Sequence, residues 1–354
     1  MTNRDWIPMR ILIATDAWHP QINGVVRVLE TTAQHLRQMG HVVQVIGPDC
    51  FPTVPAPSYP EVRLAVLPGR RLTRLIEEFA PDAIHIPVEG PIGLAARRYC
   101  LRRKLPFSTS YHTRFGDYFQ HRLGLDPDYG HVFQRWFHNA GRSFMVQTPS
   151  LEAELAARGY RNIRRWGRAV DTDLFRPCRD DPDFDPDFLG LPRPIFLYLG
   201  RVSAEKNLEA FFTLDLPGSK VVVGDGPGLA GYKRAYKDVH FLGYRTGPDL
   251  ARHLSAADVF VFPSRFETFG LVALEALACG TPIAAFPVAG PADILGDRPH
   301  GVLSEDLRSA ALKALEIDRA GCREFALTFS WAECTRQFES NLVGVLEGAA
   351  LEAA

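Results

Sequence analysis

Two cations follow a glycine turn in the second half of the chain. Within residues 200–207, GRVSAEKN, Gly200 and Arg201 come directly after an apolar run, and Lys206 lies five residues beyond Arg201. A glycine lets the backbone approach a ligand closely, and paired cations neutralise phosphate charge. The arrangement indicates a diphosphate site, although a solvated turn with ion pairs would use the same residues. A second glycine turn, residues 224–227, follows the next apolar run and could be a tight connection.

Two carboxylates, Glu267 and Glu275, lie eight residues apart further along the chain. On one continuous helix this spacing separates them by about 12 Å, whereas the carboxylate pair of a retaining glycosidase lies about 5 Å apart. They are better interpreted as hydrogen-bond acceptors for two parts of one long ligand. Glu267 could equally be a structural cap at a helix start. The residues whose amides lie near that helix start, and can face an anion, are Thr268, Phe269, Gly270 and Leu271.

The elements that must position these residues alternate between short apolar runs and helical patterns, which indicates parallel α/β sheets. A length of 354 residues suits two domains of roughly 100–200 residues each. We therefore expect an α/β fold of two doubly wound, Rossmann-like domains, residues 1–178 and 179–330, facing across a cleft. Residues 176–194, rich in Pro and Asp, form the expected linker. Ligands of such sheets bind at the carboxyl ends of the strands.

The pattern predicts individual elements in both halves. Predicted strands are residues 10–15, 42–46, 83–86, 107–111, 195–199, 220–223, 240–242, 259–261 and 282–286. Predicted helices are residues 24–38, 208–213, 248–256 and 269–279.

Composition is that of an ordinary globular protein, with 46% hydrophobic and 23% charged residues. This excludes a disordered, collagen-like or disulfide-stapled chain. The net charge of −1 conceals an asymmetry, because residues 1–179 carry 24 basic and 16 acidic side chains and the rest carry 16 and 25. The basic half could meet anionic lipid, nucleic acid or an acidic ligand.

The cysteines and apolar runs bear on the compartment. Six cysteines without C-x-x-C spacing indicate reduced thiols in a cytosolic protein, and no Cys/His cluster has the spacing of a zinc site. No apolar run approaches the roughly 20 residues that span a bilayer. We expect a cytoplasmic protein that can dock peripherally on the cytoplasmic face of the inner membrane.

Taken together, these motifs resemble a known family. The runs GRVSAEKN, VVVGDGP, FLGY and ADVFVFPSRFETFGLVALEALACGTPIAAF closely resemble the retaining nucleotide-sugar glycosyltransferases of family 4, which have the GT-B fold. Glu267 and Glu275 match the E-x7-E signature of that family. Residues 20–25, PQINGV, look like its glycine loop, and residues 110–113, SYHT, look like its active-site histidine segment. Residues 331–354 resemble the last helix, which completes the N-terminal domain.

The resemblance implies roles on the donor side. Arg201 and Lys206 would hold the diphosphate, next to the turn at Gly200. Glu275 would accept hydrogen bonds from the ribose hydroxyls, and Glu267 would contact hydroxyls of the donor sugar. The donor-binding set would also include Gly24, Thr268, Phe269, Gly270 and Leu271.

The resemblance also implies roles near the acceptor. His112 would touch the donor sugar near the reaction centre, unless it is a hydrogen-bonded histidine at a strand end. Asp16, Asn23 and Thr113 are candidates on the acceptor side, and Asp16 could equally be a cap or stabilise a turn.

We expect no metal and no cofactor, because the sequence has no evident set of metal ligands. Asp171 and Asp173 have D-x-D spacing, but the family places this V-D-T-x-x-F segment at an interdomain turn, so we expect a structural role. Ala169 departs from the glycine usual there. Arg201, Lys206 and helix N-termini would then stabilise the departing diphosphate in a front-face displacement with retention.

Basic residues in the first half point to an acceptor. They form two clusters, Arg97, Arg98, Arg102, Arg103 and Lys104, and Arg161, Arg164, Arg165 and Arg168. Residues 111–136 interleave arginines with aromatic residues. This composition suits docking on anionic lipid, although a solvated face explains the clusters equally well.

Bacterial diacylglycerol glycosyltransferases, sulfoquinovosyl-diacylglycerol synthases and mannosyltransferases are similar members of the family. We expect transfer from a UDP-sugar to diacylglycerol at an anionic membrane surface, and no nucleic-acid partner.

Three alternatives remain open. A GDP-mannose-dependent α-mannosyltransferase acting on a lipid or polyol is the alternative within the enzyme class. Donor consumption without acceptor would favour a nucleotide-sugar epimerase or hydrolase. Stabilisation by nucleotide-sugar without turnover would favour a non-catalytic binding module.

Overall fold

Each half of the chain builds one six-stranded parallel sheet. The computed structural model describes residues 7–21, 23–56, 59–112, 127–179, 181, 184–185, 187, 189–265 and 269–345. The chain divides into a first unit, Met1–Gly167 with Ala332–Ala354, and a second unit, Arg168–Trp331.

The strands and helices alternate along the chain. The strands are β1 Arg10–Ala14, β2 Val42–Ile46, β3 Thr53–Ala56, β4 Tyr59–Ala65, β5 Ala83–Ile86, β6 Ser108–Ser110, β7 Ser143–Val146, β8 Ile163–Arg165, β9 Ile195–Leu199, β10 Ser219–Val223, β11 Val239–Gly243, β12 Val259–Phe262, β13 Ile283–Ala285 and β14 Gly301–Leu303. The helices are α1 Gly24–Gln38, α2 Gly69–Phe79, α3 Pro91–Arg103, α4 Pro127–His138, α5 Pro149–Ala157, α6 Glu209–Phe212, α7 Leu229–Ala235, α8 Gly247–Ala256, α9 Leu271–Ala278, α10 Pro291–Leu295, α11 Leu307–Ala314, α12 Arg319–Ala326 and α13 Trp331–Ser340.

The strand order reverses once in each sheet. The first unit has the order β2-β1-β5-β6-β7-β8, and the second has β11-β10-β9-β12-β13-β14. The chain therefore leaves β1 for β2 on one side and returns to β5 on the other, and it does the same around β9. In doubly wound sheets a ligand crevice opens at this reversal, outside the carboxyl ends of the strands. The edges beyond β1 and β5, and beyond β9 and β12, are the places where function is expected.

Helix α1 shows how the sequence specifies these elements. Its buried residues include Val26, Leu29, Ala33 and Leu36, which follow the helical period and face the core. Gly40, with φ of +94°, follows the helix end. Within the described residues, no helix of either unit is both long and apolar enough to cross a membrane.

The predicted linker, residues 176–194, packs onto the second unit. Arg179 and Arg193 donate to the last carbonyls of α8, and both form ion pairs with Asp258, at 3.0 and 2.6 Å. Arg319, from α12, donates to carbonyls of the same helix end. Cations at a helix C-terminus are stabilised by the helix dipole, so this segment is anchored by three arginines.

The two units divide at Gly167, whereas the sequence suggested a boundary after residue 178. The intervening residues pack with the second unit because Arg323 donates to the carbonyls of Thr172, Phe175 and Ala278.

Helix α13, apart from its first residue, belongs to the first unit. Gly167 N–H donates to Gln337 Oε1 at 3.1 Å, and His41 Nε2 lies 3.1 Å from Glu339 Oε1. These two bonds tie α13 to the residues just after β8 and just before β2.

The charge asymmetry shrinks at the observed boundary. The first unit carries 22 basic and 18 acidic residues, and the second carries 18 and 23. Part of the change comes from the acidic C-terminal segment, which belongs to the first unit. Net charge per unit therefore says less about a partner than local clusters do.

Candidate active site

The two glycine turns of the second unit pack against each other at the carboxyl edge of its sheet. Val202 N–H donates to Asp225 O at 2.8 Å, and Gly228 N–H donates to Val202 O at 2.9 Å. A Cβ atom on Gly224 would lie 1.9 Å from Gly200 O, so only glycine fits there. This contact sets the backbone of the turn from which the first cation projects.

Arg201 and Lys206 lie on consecutive turns of this edge. Arg201 is exposed, and its carbonyl accepts a hydrogen bond from Tyr198 Oη at 3.0 Å. Lys206 is half-buried at the end of a single 3-10 turn. The next residue, Asn207, has φ of +53° and donates from Nδ2 to Pro263 O at 3.0 Å. That bond ties the turn of the second cation to the end of β12.

Helix α9 begins at this same edge. Gly270 has φ of +88°, a left-handed conformation, so the helix starts at Leu271 rather than at Phe269 as predicted. Within the described chain, no side chain caps this helix start. Glu275 is the one charged residue of α9 and is buried. Two predicted site residues, Glu267 and Thr268, lie outside the described residues.

Two residues after β12 were not singled out from the sequence. Ser264 is fully buried, and its Oγ has no hydrogen-bond partner among the described residues. Arg265 pairs with Glu305 at 2.9 Å and lies 3.9 Å over the Phe286 ring. Their position directly after a central strand is the signal that would have identified them.

In the first unit, Asp16 lies just beyond β1 at the reversal of strand order. Its carboxylate accepts hydrogen bonds from the N–H groups of Ile92 and Gly93, at 2.9 and 3.0 Å, at the start of α3. A Cβ atom on Gly90 would lie 2.4 Å from the carboxyl carbon, so glycine makes room for it. The geometry supports the cap interpretation of Asp16.

The pKa of Asp16 gives a prediction. Burial raises it from 3.8 to about 6, with a smaller contribution from Glu89 and opposed by the two N–H bonds. The folded protein thus binds the proton more tightly than the unfolded chain. The free energy of unfolding should therefore fall by up to about 3 kcal/mol as the pH rises from about 4 to about 6.

Urea unfolding over this pH range would measure that fall. In Asp16→Asn, whose side chain does not ionise, this decrease in the free energy of unfolding with rising pH should disappear. The exposed Asp297→Asn serves as control and should retain it. An unchanged slope in Asp16→Asn would contradict the assignment.

The loop after Asp16 is tied down by amide side chains. Gln21 Nε2 donates to Asp16 O at 2.8 Å, and Asn23 Nδ2 donates to Gln21 Oε1 at 3.3 Å. Asn23 Oδ1 caps α1 by accepting from its second and third N–H groups at 3.0 Å. Gly24 is the exposed first residue of that helix. Asn23 is therefore the N-terminal cap of α1, and the exposed Gly24 leaves the start of this helix accessible.

His112 follows β6 at the same edge of the sheet. Its Nε2 lies 2.8 Å from Ser110 Oγ, and its ring lies edge-on to Trp166. It is half-buried. The neighbouring Thr113 lies outside the described residues.

A buried carboxylate that sequence reasoning missed lies three residues after β5. Glu89 Oε1 accepts hydrogen bonds from Gln134 Nε2 at 2.8 Å and pairs with His138 Nε2 at 2.9 Å. All three side chains are buried. A glutamate just before the Gly-Pro start of α3 was the available signal, but its partners lie 45 or more residues away.

No group of three His, Cys, Asp or Glu residues in the described parts of the chain is placed to hold a metal ion. Asp171 Oδ1 accepts from the N–H groups of Asp173 and Leu174, at 3.1 and 2.9 Å. The D-x-D sequence thus closes a turn, which supports its structural interpretation.

The chain matches two protein-family models. Residues 22–174 match Glycosyltransferase Family 4, and residues 193–317 match Glycosyl transferases group 1. A GDP-mannose-dependent alpha-mannosyltransferase of Mycobacterium tuberculosis (strain CDC 1551 / Oshkosh) is 30% identical over 318 residues, which cover 83% of this chain and 83% of the relative. The chain is a family 4 glycosyltransferase.

A second relative and a solved structure support the same family and the same fold. An alpha-monoglucosyldiacylglycerol synthase of Streptococcus pneumoniae (strain ATCC BAA-255 / R6) is 26% identical, over 87% of this chain and 78% of the relative. Among solved structures, sucrose-phosphate synthase from Thermosynechococcus elongatus has a TM-score of 0.74, with 21% identity over 98% of this chain and 99% of that one. The predicted fold class, two doubly wound α/β domains of GT-B type, and the predicted transferase activity are confirmed.

Proposed function

We propose that this glycosyltransferase moves a hexosyl group from a nucleotide-sugar to a hydroxyl group of a membrane lipid while docked on an anionic bilayer. GDP-mannose is the first candidate donor, because the mannosyltransferase relative is named for it and is 30% identical. This revises the UDP-sugar expected from the sequence. The observation that carries the lipid acceptor is helix α4, whose apolar side chains face outwards.

The outer face of α4 consists of Tyr129, Val132, Phe133 and Trp136. These residues are 70%, 55%, 38% and 52% exposed and follow the helical spacing i, i+3, i+4, i+7. The Phe133 and Trp136 rings stack at a centroid distance of 5.9 Å. A contiguous apolar stripe on the surface marks an interaction or membrane site.

The inner face of α4 carries several polar side chains beside the fully buried Phe137. Gln134 and His138 bind Glu89, and His131 Nδ1 lies 3.2 Å from Tyr160 Oη. A surface helix of a soluble domain normally turns its apolar residues inwards and its polar residues outwards. Most of α4 has the opposite arrangement, so its outer face suits an apolar phase.

Cations border this apolar face. The Arg97 guanidinium lies 3.7 Å over the Trp136 ring and donates to Trp136 O at 2.9 Å. Arg98 and Arg102, also on α3, are exposed and have no acidic partner among the described residues. A cavity of about 440 Å³ between the helices is lined by Leu94, Arg97, Arg98, Leu101, Arg102 and Trp136. Cations beside an apolar stripe complement lipid phosphates above hydrocarbon.

The second basic cluster contributes less. Arg165 lies 3.6 Å from Glu152, and Arg168 is buried in the second unit. Residues 113–126, in the aromatic and basic segment, lie outside the described residues. The proposed docking face is therefore the outer face of α4 with the C-terminal half of α3.

In the proposed reaction, the bond from the anomeric carbon to the diphosphate breaks as a bond to the lipid hydroxyl oxygen forms on the same face. The hydroxyl proton passes to the leaving phosphate oxygen. Arg201 and Lys206 stabilise the charge that develops on the diphosphate, and such preorganised electrostatics is usually the largest catalytic contribution.

Radiolabelled transfer with GDP-mannose and UDP-glucose, each against extracted membrane lipids and pure diacylglycerol, tests the proposal. We expect label from GDP-mannose in the lipid fraction. Glucosyl-diacylglycerol would instead support the second candidate, which the monoglucosyldiacylglycerol synthase relative favours. Label confined to water-soluble products would contradict a lipid acceptor, and donor breakdown without acceptor would indicate a hydrolase or epimerase.

Docking itself gives a further prediction. Arg98→Ala combined with Arg102→Ala should weaken binding to phosphatidylglycerol vesicles about 30-fold, because each cation contributes about 1 kcal/mol. Val132→Ser with Phe133→Ser should also weaken it, without lowering the free energy of unfolding, because both side chains are exposed. Flotation of the protein with vesicles provides the measurement.

The matched control is Leu327→Ser, which replaces an exposed apolar residue of the second unit and should leave binding unchanged. Wild-type protein that fails to float would contradict the docking face. Loss of stability in Val132→Ser with Phe133→Ser would show that the chain itself covers the face, and dissociation of a dimer would show that a second copy does.

A further inference from the structure

One side chain of the second unit joins the segments that follow two strands, at the point where the strand order reverses. Strand β9 pairs with β10 up to its last residue, and β12 pairs with β13 up to its last residue. Between themselves, β9 and β12 pair only up to Leu197 and Phe260, two residues before each strand ends. Beyond that point, the bond from Asn207 Nδ2 to Pro263 O, at 3.0 Å, links the turn after β9 to the residue after β12.

The direction of this bond is determined by its acceptor. Pro263 O is a carbonyl oxygen and can only accept, so the amide nitrogen of Asn207 must donate. Pro263 is buried, and a buried carbonyl group is destabilising unless a donor reaches it. The bond is therefore of a kind that the surrounding structure favours.

Position 207 makes two demands on its residue. The backbone is left-handed, with φ of +53°, a conformation that asparagine, aspartate and glycine adopt most readily. The bond to the carbonyl of Pro263 requires a side-chain donor, which glycine and an ionised aspartate lack. Asparagine meets both demands.

The same residue closes the turn that carries the second cation. Lys206 N–H donates to Ser203 O and Asn207 N–H donates to Ala204 O, both at 3.1 Å. Lys206 is the last residue of this 3-10 turn, and Asn207 is its C-terminal cap. Any shift of Asn207 therefore moves the backbone from which Lys206 projects.

We propose that Asn207 is a positioning residue, which fixes the turn of Lys206 relative to the end of β12. A cation stabilises a developing charge best when it is held in place before the reaction begins. Without the bond to Pro263 O, the turn shifts more freely and Lys206 contributes less to the rate. This inference rests on the proposed role of Lys206 in stabilising the departing diphosphate.

A double-mutant cycle on the rate of radiolabelled transfer tests whether Asn207 acts through Lys206. Asn207→Gly keeps the left-handed backbone and removes the donor, so it should lower kcat about fivefold to tenfold, the equivalent of one hydrogen bond. In the Lys206→Ala background the same substitution should change kcat less than twofold, because the group that it positions is absent. A purely structural role would give the same fall in both backgrounds. Asn207→Asp replaces Asn207→Gly if that variant does not fold.

Asn162 provides the matched control. It is also left-handed, with φ of +57°, and its Nδ2 donates to Gly141 O at 2.8 Å in the first unit. Asn162→Gly thus removes the same kind of bond from the same backbone conformation. It should keep the wild-type kcat.

Amide hydrogen exchange of the nucleotide-free protein tests the bond without reference to transfer. Exchange of Lys206 N–H, which closes the turn, should become about fivefold to tenfold faster in Asn207→Gly and stay unchanged in Asn162→Gly. Unchanged exchange in Asn207→Gly would overturn the proposal, and so would a wild-type kcat in that variant or an equal fall in both backgrounds.

The two measurements separate this inference from the function on which it rests. If exchange becomes faster but Lys206→Ala keeps near-normal turnover, the bond holds the turn and the role of Lys206 in transfer fails. If Lys206→Ala loses turnover but exchange is insensitive to Asn207→Gly, the role of Lys206 stands and the positioning role of Asn207 is overturned.

Discussion

Arg201→Ala and Lys206→Ala should each lower the rate of glycosyl transfer about 100-fold to 1,000-fold at saturating donor. In the proposed reaction, negative charge develops on the departing diphosphate, and each cation lies on a turn at the carboxyl edge of the second sheet before the reaction begins. Removing one such preorganised group from an active site has an effect of about this size. Turnover of the purified variants with GDP-mannose and lipid extract provides the measurement.

Two controls sharpen this prediction. Lys206→Arg keeps the charge and should retain more activity than Lys206→Ala. Lys233→Ala removes an exposed cation from α7 and should be neutral. Near-normal turnover of both Arg201→Ala and Lys206→Ala would contradict the assigned roles. Magnesium-dependent transfer that is lost in Asp171→Ala would contradict metal-independent transfer.

Gly224→Ala should destabilise the protein by about 3 kcal/mol and abolish nucleotide binding. The added Cβ would meet Gly200 O at 1.9 Å, and that oxygen belongs to the backbone, so the two glycine turns must separate. The turn that carries Arg201 then loses its geometry. Thermal unfolding and titration with GDP would measure the two effects.

Gly231→Ala is the matched control for this substitution. A Cβ atom on Gly231 would meet nothing within 4 Å, and the residue lies inside helix α7. Alanine there should stabilise the protein by about 0.5–1 kcal/mol. Wild-type stability and nucleotide binding in Gly224→Ala would show that the close approach of the turns is not required.

The parts of the fold that follow from hydrophobic period were predictable from the sequence. Residues 24–38, 42–46, 83–86 and 195–199 form the predicted elements with the predicted bounds. The helix predicted at residues 269–279 begins later, because the pattern does not reveal the left-handed conformation of Gly270. The spacing of apolar residues indicates which residues are buried. The backbone conformation of a single glycine depends on its neighbours in space, which the spacing does not show.

The polar networks were not predictable in the same way. Glu89 and His138 are 49 residues apart, and no local spacing connects them. The segment 111–136 was noted for its aromatic and basic residues, but helix α4 was not predicted, because four of its apolar residues lie outside, whereas a periodic pattern is normally interpreted as a core-facing stripe. Residues 176–194 have a linker composition, yet Arg179 and Arg193 anchor them to α8. The two glycine turns of the second unit were recognisable because their residues are adjacent in sequence as well as in space.

Two of the bonds that hold α4 end on one carboxylate oxygen, that of Glu89. A hydrogen bond requires a particular distance and angle, whereas apolar contacts tolerate sliding and rotation. Rotation of α4 about its axis would break the bonds of Gln134 and His138 together. The outer face of α4 is therefore held at one angle to the sheet. If the protein docks on a bilayer as proposed, its tilt there would be determined by a buried polar cluster that never meets the lipid.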